Sequence, residues 1–380
     1  MSRHARPRKE RGRSRVGERF EAIVGPVAHG GHCIVRLPSS DTEPESRVVF
    51  TRHCLPGENV VVEITEGSDG DRFWRGDAIA VLTPSPDRVA APCPVAGPGL
   101  CGGCDFQHVS LPAQRALKEA VVSEQLRRLA GLDVDVTVEA VPGDEQGLRW
   151  RTRMQWAQTP DGLRGLRAHR SRRVVPVDDC LIAAPDARSP EPGPAITETV
   201  DGRSFTVEPD GFWQVHPGAP STLVSTVLAM LDPRPGERVL DLYAGVGLFA
   251  RFLGEAVGSG TRLVAVEADR AASRHAISNL AAHEGAAVTC GAVEKVLASA
   301  YDEPFDLVVL DPPREGAKRT VVEQVVDRAP RAVAYVACDP AALARDVAIF
   351  ADHGYRLEQL RAFDLFPMTH HVECVALLSR

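Results

Sequence analysis

From about residue 203 the chain alternates between two textures. Short apolar runs ("RVLDLYAG", "RLVAVEAD", "FDLVVLDPP", "AVAYVACDP" and "HHVECVALLS") are separated by stretches of helical spacing such as "DRAASRHAISNLAAHEG". Strand and helix alternating at this spacing build βαβ units and an open, mostly parallel sheet. A run such as "RAVAYVA" has no polar alternate, so it reads as a strand buried on both faces. In such sheets ligands bind beyond the C-terminal ends of the strands, near the switch in strand order. The residues that close the strands are therefore the ones to read for chemistry. They are Glu267, Asp311 and Cys338.

With 380 residues the chain exceeds one ordinary core, so further domains are expected upstream. Residues 17–84 hold five short β-like runs broken by Gly, Pro, Asp and Ser, the pattern of a small barrel of the oligonucleotide-binding type. Residues 85–202 contain a Cys-rich segment, a helical stretch that stops at Gly131, a strand-rich basic segment and a Pro-rich connection, "AAPDARSPEPGPA". Residues 1–16 read as a basic disordered tail. No apolar run reaches 18 residues and the basic start leads into no apolar segment, so a cytoplasmic protein without a membrane partner is expected. Nothing in the sequence demands more than a monomer.

The formal net charge is −7, yet charge is unevenly placed. Residues 1–19 hold eight Arg or Lys against two Glu, and residues 149–173 hold eight Arg against one Asp. Basic blocks on an acidic protein are an electrostatic footprint for phosphates, although the first also reads as a solvated disordered tail. In the second block Trp150, Met154 and Trp156 are interleaved with Arg, an arrangement suited to unpaired bases.

The first strand of the α/β segment runs into "DLYAGVGLFA", in which Gly245 and Gly247 sit at a strand-to-helix turn and let backbone approach a ligand. Glu267, ending the next strand, is placed to hold ribose hydroxyls. NAD and S-adenosylmethionine both fit; the incomplete G-x-G-x-x-G series favours the methyl donor. Asp311 and Cys338 arrive on strands that should be neighbours. A thiol there reads either as packing or as a nucleophile. Cys93, Cys101, Cys104 and Cys180 form C-x7-C-x2-C with a distant fourth Cys, which suits tetrahedral zinc or a [4Fe–4S] cluster. Cys33, Cys54, Cys290 and Cys374 read as small hydrophobes.

"DLYAGVGLFA", "LDPPREGA", "YVACDPAALARD" and "FPMTHHVECVALLSR", with "GFWQVHPG" upstream, resemble the successive motifs of the RNA uracil-C5 methyltransferase family, which makes 5-methyluridine in tRNA and 23S rRNA. The resemblance covers nearly all of the chain. It implies a Rossmann-like class I methyltransferase domain over 203–380, a TRAM barrel over 17–84 and a central α+β domain over 85–202 carrying an iron–sulfur cluster on Cys93, Cys101, Cys104 and Cys180. It further implies Cys338 as nucleophile toward C6 of uracil and Glu373 as the base that removes the C5 proton. Gln214, Tyr243, Glu267 and Asp311 match positions that hold S-adenosylmethionine. TRAM plus cluster points to rRNA rather than tRNA.

Three positions depart from the pattern. Leu248 replaces a polar residue, His216 follows "FWQV" where Asn is usual, and Asp339 follows Cys338 where Asn is usual. A charge at Asp339 is expected to oppose thiolate formation. Two other readings compete: methylation of an exocyclic amine, for which Arg314 stands where an aromatic residue is needed, and a non-catalytic RNA-binding or redox-sensing protein of the same fold.

Overall fold

The computed structural model describes residues 12–37 and 46–380. The basic tail therefore lies mostly outside the described residues. The chain forms two compact units, one of Met1–Leu117, Ala157–Asp178 and Met368–His370, the other of Lys118–Trp156, Asp179–Pro367 and His371–Arg380. The segment 85–202, expected as one central domain, is divided between them.

In the first unit, strands β1 (Arg19–Ala28), β2 (His32–Leu37), β3 (Arg47–Arg52), β4 (Asn59–Glu66) and β5 (Trp74–Thr83) close into a barrel in the order β1-β2-β3-β5-β4. Alternation does the work: in β4, Val60, Val62 and Ile64 point into the barrel while Asn59, Val61 and Glu63 are half-exposed. Helix α1 (Leu111–Ala130) begins in this unit and continues into the second, to which β6 (Val138–Ala140) and β7 (Arg151–Arg153) belong. The first unit is completed by a small antiparallel sheet of β8 (Ala157–Gln158), β9 (Arg164–Arg167) and β10 (Val174–Pro176).

In the second unit β7 pairs with β11 (Ala183–Arg188), and β12 (Ile196–Val200) forms a hairpin with β13 (Arg203–Val207). Beyond helix α2 (Ala219–Leu231) the expected alternation appears: β14 (Val239–Leu242), α3 (Leu248–Val257), β15 (Leu263–Glu267), α4 (Arg270–Asn279), β16 (Ala286–Cys290), α5 (Val293–Leu297), β17 (Leu307–Leu310), α6 (Lys318–Asp327), β18 (Ala332–Ala337), α7 (Pro340–Asp352), β19 (Arg356–Asp364) and β20 (Glu373–Ser379). The sheet order is β16-β15-β14-β17-β18-β20-β19-β6. The first five strands are parallel, β20 runs antiparallel between β18 and β19, and the order reverses at β14, which pairs with β15 on one side and β17 on the other.

The apolar strands feed both faces. In β18, Ala332, Ala334 and Val336 join one core cluster while Val333, Tyr335 and Ala337 join the other. This is the burial on two sides that the missing polar alternate required.

A buried ion pair anchors α1. Lys118 Nζ donates to Asp364 Oδ1 at 2.6 Å and to the Phe366 carbonyl at 3.1 Å, and the two side chains are 0% and 3% exposed. Removing one partner strands a buried charge. Lys118→Met is expected to destabilise the protein by about 3–5 kcal/mol, and Lys118→Met combined with Asp364→Leu to recover most of that. Urea unfolding of the two variants checks the difference; equal losses would contradict it.

Candidate active site

β14 passes at Leu242 directly into Tyr243, whose φ of 62° puts a bulky residue in the left-handed region. Such backbone costs about 1–3 kcal/mol and persists where the surroundings over-determine it, typically at a ligand clamp. Gly245 follows at φ 54°, and a Cβ built there would meet nothing within 4 Å. The positive φ and the open approach to the backbone, not a steric clash, make glycine fitting there. Glu267 closes the turn. One carboxylate oxygen accepts from Gly245 N at 2.8 Å and the other from Asp269 N at 2.6 Å. Gly247 caps α3 in the left-handed conformation at φ 86°. Leu248, one of the departures from the pattern, is a core residue under this turn.

Asp241, which the sequence reading passed over, is fully buried in β14. Its Oδ2 accepts from Ala250 N at 2.8 Å in the first turn of α3, and its Oδ1 has no partner among the described residues. Burial first, then the charges of Asp311 and Glu267, push its carboxyl well above the usual range. An acid inside an apolar strand is thus spent on holding the turn.

β17, β18 and β20 are adjacent, and their registers (Leu310 beside Tyr335, Ala337 beside Cys374) bring Asp311, Cys338 and Glu373 to the same end of the sheet. Glu373 is 3% exposed. Burial and then Asp311 drive its carboxyl well up. Asp311 is raised to about 7, by burial and then by Glu267. The Cys338 thiol is pushed up to about 12 by burial, then by Glu373 and Asp311, with Arg314 opposing and Asp339 contributing last. The resting rim is therefore a thiol among carboxyl groups whose proton affinity burial and mutual repulsion raise.

Asp339 acts as expected in sign but in a different setting. Its carboxylate caps α7, accepting from Ala342 N at 2.8 Å, so the helix N-terminus absorbs much of its charge. His216 is buried. Its Nδ1 accepts from Gly218 N at 3.1 Å, its Nε2 lies 4.0 Å from Asp144 Oδ2, and its ring stacks on Trp150 with centroids 6.1 Å apart. Gln214 is half-buried in the loop before α2 and makes no hydrogen bond to the rim groups among the described residues.

Sequence reasoning also missed Asp346. From α7 its buried carboxylate accepts from Tyr335 OH at 2.6 Å, Ala317 N at 2.7 Å and Lys318 N at 3.2 Å. It ties the strand that ends in Cys338 to the loop that follows Asp311. A Cβ on Gly316, at φ 81°, would lie 2.6 Å from Asp346 Oδ2, so this loop also excludes a side chain there. The only sequence signal is a charge on a helix face that is otherwise apolar.

Three expectations outside the rim are revised. Trp150 and Met154 are buried in the core, 0% and 4% exposed, and so are closed to RNA bases. The Arg block divides: Arg149 pairs with Asp179 at 2.6 Å and Arg153 donates to the Gly211 carbonyl, while Arg167, Arg170, Arg172 and Arg173 are exposed in the first unit. Cys290 is exposed rather than packed. As for a metal centre, no group of three or more His, Cys, Asp or Glu able to hold an ion forms among the described residues. Cys101 Sγ accepts from Gly103 N and Cys104 Sγ from Gln107 Nε2, each at 3.4 Å. Cys93 belongs to the same unit as these two, and Cys180 to the other.

Long stretches of the chain match known proteins. Sequence profiles match for tRNA (Uracil-5-)-methyltransferase over residues 292–380, for a methyltransferase small domain over 221–335 and for the TRAM domain over 13–78. An uncharacterized RNA methyltransferase of Streptomyces avermitilis is 44% identical over 96% of this chain and 99% of its own. The 23S rRNA (uracil(1939)-C(5))-methyltransferase of Shewanella sp. (strain ANA-3) is 29% identical over 92% of this chain and 94% of its own. The solved tRNA (uracil-54, C5)-methyltransferase of Pyrococcus abyssi, in complex with S-adenosyl-L-homocysteine, shares the fold with a TM-score of 0.68 at 20% identity, covering 94% of this chain and 100% of that one. With a class I sheet, a TRAM barrel and a relative matched along nearly its whole length, the chain belongs to the family of S-adenosylmethionine-dependent RNA uracil-C5 methyltransferases.

Proposed function

We propose that this protein methylates C5 of a uridine in 23S rRNA through a covalent bond between Cys338 and C6 of the ring. The observation that carries the reading is the meeting of a thiol, Cys338, with a buried acid, Glu373, at the rim beside Asp311. C5 of uracil is a weak carbon nucleophile. Attack of the Cys338 thiolate on C6 forms the S–C6 bond and sends the ring π electrons toward C5 and O4. Bound S-adenosylmethionine supplies an electrophilic methyl. Glu373 then takes the C5 proton, the C5–C6 double bond re-forms, and the thiolate leaves.

Gln214, Tyr243, Gly245, Gly247, Glu267 and Asp311 are the residues we assign to the cofactor. The fit is supported by the open space over Gly245 and by the two acids at the turn, which suit hydroxyls and a cationic sulfonium. Substrate choice is supported by the rRNA-directed relative. Transcripts of 23S rRNA and tRNA, offered separately, decide it by which accepts label.

The raised proton affinities carry a consequence. With its thiol pushed up to about 12, Cys338 is overwhelmingly protonated at neutral pH, and its thiolate form grows as pH rises. A cation bound beside Asp311 favours every ionised form on the rim. Alkylation of Cys338 by iodoacetamide is therefore expected to be slow in the free protein. Its pH profile should move down by about one unit or more with a cationic amine analogue of S-adenosylmethionine, but not with neutral S-adenosylhomocysteine. Exposed Cys290 serves as internal reference in peptide mapping. Identical profiles with both analogues would contradict this.

The iron–sulfur cluster rests on Cys spacing and family resemblance alone, and no step above passes through it. Anaerobically purified protein that is brown, with four sulfide-bridged irons per chain, supports the cluster; colourless folded protein with one zinc refutes it.

A further inference from the structure

A cavity of about 370 Å³ lies within the first unit, between the barrel and the β8–β10 sheet, far in sequence from the rim residues. At the small end of ligand cavities, it has the size for one nucleotide rather than a strand. Its lining combines rings and guanidinium groups. His32 meets Phe50 edge-on at 6.3 Å and His169 at 6.5 Å between centroids. Arg75 lies 5.8 Å over the Phe50 ring.

Charge favours an anion. Arg52, Arg75, Arg170 and Arg173 line the cavity against two carboxylates, Glu66 and Asp77. Glu66 holds Arg170 at 2.9 Å and Arg75 at 3.5 Å, Arg173 donates to the Gly99 carbonyl, and Arg52 pairs with Asp105 at 3.4 Å. The cations are thus braced by the protein. Burial, then Arg75 for His32 and Arg52 for His169, holds both imidazoles near pKa 4, so the rings are neutral and suited to stacking.

We propose that this cavity takes one unpaired nucleotide of the substrate RNA, its base stacked on His169 with His32 against the base's edge, and its phosphate on Arg170 and Arg173. The proposal rests on the RNA reading above and adds a second docking point to the methylated uridine. It also replaces Trp150 and Met154 as the base-contacting part of the basic block.

The test is fluorescence anisotropy of the full-length protein with hexaadenylate, a 12-base-pair RNA duplex and free AMP. Stacking of one base accounts for about tenfold in affinity. The His32→Ala/His169→Ala variant is expected to bind hexaadenylate about tenfold more weakly with its salt slope unchanged, the duplex as before, and His169→Phe to keep the affinity. Arg170→Gln/Arg173→Gln should lower the salt slope by about one to two. Unchanged binding in the His variants, an equal loss for duplex and single strand, or AMP bound as tightly as hexaadenylate would each overturn the proposal. Methylation of total RNA is measured alongside. Protein that methylates yet fails these binding tests refutes only the pocket; protein that passes them yet methylates nothing refutes only the catalytic reading.

Discussion

Glu373→Gln protein, given RNA and S-adenosylmethionine, is expected to accumulate as a covalent protein–RNA species that survives denaturing electrophoresis. Attack by Cys338 and methyl transfer need no carboxylate, but release needs the C5 proton removed. A positioned base is worth about 10²–10⁴ in rate, so turnover should fall by that factor while the adduct persists. Cys338→Ala removes the first bond, so product should fall by at least about 10⁴-fold and no adduct should form. The double variant should form none either. Normal turnover by Glu373→Gln would reduce that acid to a packing group, and 5-methyluridine from Cys338→Ala would remove the thiol from the mechanism.

The second large effect concerns stability. Asp346→Ala removes the acceptor shared by the buried Tyr335 OH and the amides of Ala317 and Lys318, and of these three donors only the Ala317 amide keeps a second partner, Tyr335 OH at 3.1 Å. A loss of about 3–5 kcal/mol is expected, from the penalty of unpaired buried donors at about 1–3 kcal/mol each. Tyr335→Phe leaves both amides paired and should cost only about 1 kcal/mol. Urea denaturation separates them. A loss below 1 kcal/mol for Asp346→Ala would mean that the loop after Asp311 is held by other contacts.

What could be read from the chain follows from where order is local. Strand tips ending in Glu267, Asp311 and Cys338 were legible because two-sided burial leaves apolar runs with a polar terminus. The barrel was legible because five short runs with turn residues have few alternatives. The position of β20 between β18 and β19, and of β6 at the sheet edge, was not, since antiparallel insertion and edge pairing depend on distant segments. Asp241 and Asp346 were missed for the same reason: a carboxylate that caps a helix or gathers amides is spelled like any exposed acid until its partners are in place. Trp150 misled because Arg neighbours at 149, 151 and 153 suggested a surface, yet alternation sends the ring inward. The Cys spacing is a regular pattern for which no ion-holding group forms among the described residues.

The central claim, methyl transfer to C5 of a uridine with Cys338 as nucleophile, has one direct measurement. Full-length protein is incubated with methyl-labelled S-adenosylmethionine and unmodified 23S rRNA transcript, and the RNA is digested to nucleosides. The label is expected in 5-methyluridine alone, and to be lost with Cys338→Ala. Label in an N-methylated nucleoside, or in 5-methyluridine made equally well without the thiol, would contradict it.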